Sequence, residues 1–270
     1  MLYAGLKARL EGHGDVRRFE LGTYLADAQT FRVWIDPEHG DLAAAGLRRV
    51  RSFAFANRAM EREVAKMLPP VPEVVSSETH KLIVFAKRRD LVLLRDLCEH
   101  LQTKGERLDP RHVAWILSGL YALACWLAWA QLSHQAINLD TVFVSPEHHG
   151  VFLLGGWWYA TPIAKSVAAL PESTVADGPP GLERRRRALR QTDLELIRAL
   201  GRRLLGDPSG ARLTSSSRVP KPMGLYLMLP AGHDAVSEYA AWMNILESSF
   251  GARRFTELAI QPSDIYPEEI

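Results

Sequence analysis

Twenty consecutive residues, Val113 to Leu132 (VAWILSGLYALACWLAWAQL), contain no charged side chain. A run of that length has two fates. It can cross a bilayer, whose hydrocarbon core needs about 20 apolar residues, or it can be a helix wrapped by protein on every side. The flanks favour burial. Asp109 stands where a helix cap is needed and Pro110 fits the first turn. Basic flanking residues are few, and Trp126 and Trp129 sit within the run instead of forming a belt at each end. A buried helix of this length demands a large core. The chain has 270 residues, 47% apolar and 24% charged, which is enough to build one. Anchoring through residues 113–132 is the rival reading.

Charge and cysteine content narrow the function classes. Thirty-three basic against 31 acidic residues leave +2, too little to advertise nucleic acid or an anionic membrane as the main partner. Two cysteines, Cys98 and Cys125, exclude a disulfide framework or a thiolate zinc cage and fit a reducing compartment. Residues 1–21 alternate charges and glycines with no apolar run, so no signal peptide is expected and the expected location is cytoplasmic.

Along the chain, strands are expected at Phe19–Leu21, Thr23–Asp27 and Thr30–Asp36, then a helix over Ala43–Leu68 ended by Pro69-Pro70-Val71-Pro72. Val74–Val75 and Lys81–Ala86 read as further strands. Helices are expected over Leu91–Leu101, 109–132, 192–206 and 234–250, with a strand pair at Thr141–Val144 and Val151–Leu154, and irregular basic chain over 170–190. A small lobe of strands and one helix, residues 1–88, therefore precedes a mostly helical lobe, residues 89–270, with a hinge near 86–90. The fold class is α+β.

Leu132-Ser133-His134-Gln135-Ala136-Ile137-Asn138-Leu139-Asp140-Thr141-Val142-Phe143-Val144, directly after the long apolar helix, resembles the catalytic loop of protein kinases, His-Arg-Asp-Leu-Lys-Pro-Glu-Asn followed by three apolar residues. Gly22-Thr23-Tyr24-Leu25-Ala26-Asp27 and Val33-Trp34-Ile35-Asp36 resemble the second and third kinase strands. The helix around Glu61 and Glu63, with Pro72 after it, resembles αC. Thr192-Asp193-Leu194-Glu195-Leu196 resembles the start of the helix that follows the activation segment. These matches run in order over residues 19–250 and imply a bilobal kinase-like fold.

The same resemblance implies lost catalysis. Phosphoryl transfer on this fold needs a strand lysine, a loop base, an asparagine for one metal and an Asp-Phe-Gly aspartate for the other. Those positions hold Asp36, Ala136, Thr141 and, within one residue of register, Leu154-Gly155-Gly156 or Gly155-Gly156-Trp157. No acid occurs between Val151 and Pro171, so a register shift restores nothing. Strand alternation is expected to put Trp34 on the adenine side, filling the slot. Of the phosphate-loop glycines only Gly22 is in place, with Gly12 and Gly14 expected to serve an upstream turn. His134 reads as a packed core residue. Asp193 matches the aspartate that braces the loop backbone. The expected function is a pseudokinase with no catalytic, metal-binding or cofactor-binding residues and no cofactor. It would act as a scaffold, regulator or assembly component through protein contacts; an atypical nucleotide-dependent transferase is the alternative.

Outside these motifs, residues 183–203 carry eight arginines against three acids, a local +5, with Arg184, Arg185, Arg186, Arg187 and Arg190 as a candidate partner surface. His148-His149 reads as an exposed turn. The stripe Val236, Tyr239, Trp242, Met243, Leu246 and Phe250 reads as core packing, and Tyr266 to Ile270 as surface chain.

Overall fold

The computed structural model describes residues 16–76, 81–178 and 180–267. Gly12, Gly14 and most of the segment read for a signal peptide lie outside the described residues, as do residues 268–270. The architecture is α+β. An antiparallel sheet forms from β1 (Arg17–Phe19), β2 (Gly22–Ala26), β3 (Thr30–Ile35), β4 (Glu73–Ser76) and β5 (Lys81–Ala86) in the order β1-β2-β3-β5-β4. The β2–β3 turn is closed by Asp27, whose carboxylate accepts from the N–H groups of Gln29 at 2.8 Å and Thr30 at 2.7 Å.

Strand alternation gives the sheet two different faces. Tyr24, Phe31, Val33, Ile83 and Phe85 pack toward the rest of the molecule, together with Phe143 and Leu154. Trp34 belongs to the other face, where it clusters with Leu25 and Leu82. The expectation that Trp34 fills an inner slot is therefore wrong: its parity was right, but the face it shares points away from the cleft.

The helix expected over Ala43–Leu68 is two helices, α1 (Gly40–Arg51) and α2 (Arg58–Val64). The interruption has a packing cause. Phe53 turns inward onto Trp126 and Trp157, with ring centroids 5.4 and 4.6 Å away, and the Trp126 indole N–H donates to the Ala54 carbonyl at 3.2 Å. Asn57 then caps the restart, accepting from the Met60 N–H at 2.9 Å. A continuous helix would carry Phe53 away from Trp126 and Trp157.

The larger core is helical. It contains α3 (Leu94–Thr103), α4 (Pro110–Trp129), α6 (Arg190–Leu204), α7 (Lys221–Met228) and α8 (Ala235–Phe250), with the short α5 (Glu172–Asp177) before α6. Strand β6 (Val92–Leu93) pairs with β8 (Val142–Ser145), which pairs with β9 (Gly150–Leu153), and β7 (Leu132–Ser133) pairs with β10 (Thr161–Pro162). Helix α4 is long and apolar enough to cross a membrane, but it is the centre of this core: Val113, Ile116, Leu117, Leu120, Tyr121 and Leu123 have no exposed surface. Asp109 caps it, accepting from the Arg111 N–H at 2.8 Å. Its neighbours are α6 and α8, and the Trp242 indole N–H of α8 donates to the Ser118 hydroxyl at 2.9 Å.

Two surface expectations change. Trp242 of the α8 stripe is fully buried and Tyr239, Leu246 and Phe250 pack against the core as expected, whereas Val236 is 63% and Met243 40% exposed. Tyr266 is an anchored residue. Its hydroxyl donates to Asp96 at 2.6 Å and accepts from the Leu93 N–H at 3.0 Å, and its ring lies under the Lys87 ammonium, 4.8 Å from the centroid. Segment 170–190 is also more ordered than expected, since it contains α5 and a single 3-10 turn at Leu182–Arg184.

Candidate functional site

Below the inner face of the sheet run two loops, 134–141 and 154–160, which form the floor of a cleft. The first is braced from beneath. Asp193, in the first turn of α6 and 2% exposed, accepts from the backbone N–H of His134 at 2.8 Å and of Gln135 at 2.7 Å. Burial pushes its carboxyl up to about 6, and the two N–H donors oppose that rise. His134 is fully buried, its Nε2–H donating to the Gly155 carbonyl at 3.0 Å, and burial holds its pKa down at about 3, so the ring is neutral. The Ala136 methyl is buried, and the Thr141 hydroxyl is turned inward to donate to the Ala136 carbonyl. The second loop returns through the Leu154 and Gly155 N–H groups, both donating to the Thr141 carbonyl at 3.2 and 3.3 Å. Gly156 then turns the chain at φ +80°. A Cβ there would sit 2.7 Å from the His134 ring and 2.9 Å from the Ala136 methyl, so only glycine fits.

The cleft itself is a cavity of ≈ 200 Å³. Its roof is the β1–β2 turn and the inner face of the sheet, and its far wall is Trp158 and Tyr159. Phe19 and Gly22 are paired across β1 and β2, so the connection is a tight two-residue turn, Glu20-Leu21, with Glu20 on the cleft. The Tyr159 hydroxyl donates to the Glu20 carboxylate and so joins roof to floor. A second link lies deeper, where Asp140 accepts from the Tyr24 hydroxyl of β2 and from the Arg95 guanidinium of α3, the latter through both oxygens. The hydrogen bonds it donates to Asp140 hold the Arg95 guanidinium above its ordinary range, while burial and the neighbouring carboxylate raise the Tyr24 phenol.

The remaining sequence-derived positions lie elsewhere. Asp36 falls just beyond β3 and not on it, capping a short 3-10 turn, with the Arg18 guanidinium 3.6 Å away. Glu61 and Glu63 lie on the exposed α2, where Glu63 pairs with Lys66 at 2.8 Å. The helix that packs on the cleft floor is α1: at Gly46 an added Cβ would meet the Trp158 backbone at 2.7 Å, so a bare backbone is needed there. The break at Phe53, which periodicity does not show, leaves Glu61 and Glu63 on a separate helix from the one that packs on the floor.

The basic run also divides. Arg185 is held by Glu195 at 2.7 Å, Arg198 is buried against Glu238 at 2.6 Å, and Arg203 pairs with Asp177. Arg184, Arg186, Arg187 and Arg190 remain exposed, with Arg190 donating to Gln131 at 2.9 Å. His149 is not a free turn residue: its ring is stacked between Trp115 at 4.6 Å and Phe255 at 4.3 Å. Among the described residues no three His, Cys, Asp or Glu side chains converge as a metal site.

Neither protein-family models nor curated proteins return a match to this chain. The residues that shape the cleft and that sequence reasoning passed over are Glu20, Tyr24, Arg95, Asp140 and Tyr159. The one available signal was the placement of Asp140 inside the kinase-like loop; the others are pairs between distant segments.

Proposed function

We propose that this chain is a catalytically inactive, bilobal, protein kinase-like protein, its small lobe ending near residue 88, that works through protein contacts as a scaffold, regulator or assembly component. The reading is carried by the loop 134–141. It keeps a buried carboxylate brace, Asp193, under its backbone, and it presents the buried Ala136 methyl where the family has its base. A methyl accepts no proton, so general-base activation of a hydroxyl has no agent there. The inner face of β3 offers Phe31, Val33 and Ile35, so an apolar side chain stands where a phosphate-binding lysine would be required. Glu20 adds a carboxylate under the β1–β2 turn, which repels phosphate where a nucleotide-binding site must attract it.

The direct test is a thermal melt with MgATP. A ligand present at 100 times its Kd stabilises the native state by about 2.7 kcal/mol, several degrees in Tm for a chain of this size. No shift is expected; a shift of that size refutes inactivity by nucleotide exclusion. Ala136→Asp is expected to produce no phosphotransfer, because one restored base leaves the other devices missing. Phosphotransfer by the unaltered chain would favour the atypical transferase.

The protein contacts are assigned to the exposed arginines. Arg184, Arg186 and Arg187 project from the chain between α5 and α6 with no buried partner, so they can meet an acidic surface without breaking the fold. Reversing these three to glutamate should leave Tm within about 2 °C, since exposed charges contribute little to stability, and should abolish any salt-sensitive complex the native chain forms. A complex that survives the reversal places docking elsewhere.

A further inference from the structure

The cleft has a wall chemistry that the kinase likeness does not account for. Its aromatic rings touch in sequence. Tyr159 and Trp158 have centroids 6.2 Å apart, Trp158 and Phe19 6.0 Å, Phe19 and Tyr24 6.0 Å, and Tyr24 and Phe31 5.9 Å. All five rings line the same ≈ 200 Å³ cavity. Rings in mutual edge-to-face and tilted contact are fixed in place by one another, so the lining is a preformed surface.

The charges on the cavity are mostly negative. Glu20, Asp140 and Glu172 border it, against Arg18 alone. Asp140 is neutralised by Arg95. The Arg18 side chain is 77% exposed and lies toward Asp36. Among the described residues Glu20 receives the neutral Tyr159 phenol and no cation, and a hydrogen bond from a phenol leaves a carboxylate charge in place. Glu172 stands exposed at the cavity rim.

From these features we infer that the cleft is a binding site for a small organic cation, an alkylammonium or quaternary ammonium group. Ring faces attract a cation through their quadrupoles, and a desolvated cation gains more than an exposed one. The two carboxylates, Glu20 and Glu172, select cation over anion. The volume falls below the roughly 300–1,000 Å³ of sites for drug-sized ligands, which limits the ligand to a group about the size of choline. The inference stands on the wall chemistry and does not depend on the kinase likeness.

Isothermal titration of the full chain with choline, with the alcohol in which tert-butyl replaces the trimethylammonium group, and with MgATP tests it. Choline should bind, with the uncharged isostere about tenfold weaker because only the cation–π and carboxylate attraction has been removed. Glu20→Gln keeps an acceptor for Tyr159 and should weaken choline about fivefold; Phe19→Leu removes one ring and should weaken it similarly. Absence of choline binding at millimolar concentration, equal binding of the isostere, or unchanged affinity in both variants with native circular dichroism each overturns the inference. Binding of MgATP would instead refute the proposed inactivity, leaving the choline arms to decide the cation site.

Discussion

Asp193 is the residue whose removal should be felt most clearly, because its two acceptor bonds go to backbone donors that have no other outlet. The His134 and Gln135 N–H groups are buried, with residue exposures of 0% and 1%. Asp193→Ala leaves both without a partner, and each orphaned buried donor costs about 1–3 kcal/mol, so the loss should be about 2–6 kcal/mol. Asp193→Asn keeps one acceptor oxygen and should cost about half as much. The same residue has a signature in pH. Its folded pKa, about 6, lies above the unfolded carboxylate value, so the folded state holds the proton better. Its contribution is therefore fully present below about pH 4 and declines as pH rises through 6. His134 runs the other way. Its folded pKa near 3 lies below the unfolded value, so stability is present at neutral pH and is lost as pH falls from about 6.5 toward 3. The two slopes largely cancel in the native chain. Asp193→Asn removes one of them, so between pH 7 and pH 4 it should lose about 2–3 kcal/mol more than the unaltered chain, from roughly two pKa units at 1.36 kcal/mol each. Urea unfolding followed by tryptophan fluorescence at both pH values measures both effects. A cost for Asp193→Ala below about 0.5 kcal/mol, the scale of an ordinary surface change, or parallel pH dependences for the Asn variant and the native chain, would refute the brace.

Three further outcomes can be checked on the same material. Leu120→Lys buries an unpaired ammonium at a site with no exposure in the middle of α4, with a penalty of several kcal/mol, and should abolish the cooperative unfolding transition seen by circular dichroism. Gly156→Ala forces a Cβ to within 2.7 Å of the His134 ring at φ +80°, and should cost at least about 1–2 kcal/mol in urea unfolding even after relaxation. Tyr266→Phe removes the hydroxyl shared by Asp96 and the Leu93 N–H, at a cost of about 1–3 kcal/mol, and should speed proteolysis of the C-terminal segment; cleavage at the native rate would show that the anchor lies elsewhere.

What the sequence by itself determined is local or periodic. The charge-free run from Val113 to Leu132 required a helix with a deep core around it, and Asp109 marked its start because a cap acts within one turn. The strands β2, β3 and β5 were legible for the same reason, as alternation and turn residues speak within a few positions. The tertiary structure alone decided which face of β3 looks into the cleft, since parity assigns Trp34 a face but does not say what lies beyond it. It alone decided that the chain breaks at Phe53 to fill a gap beside Trp126 and Trp157. It decided the charges of the site as well. Glu20 meets Tyr159 across 139 residues and Tyr24 meets Asp140 across 116, and three arginines of the basic run, Arg185, Arg198 and Arg203, are taken by carboxylates on α6, α8 and α5. Coulomb attraction and hydrogen bonding carry no sequence period, so a partner that far along the chain is fixed only when packing brings the two segments together.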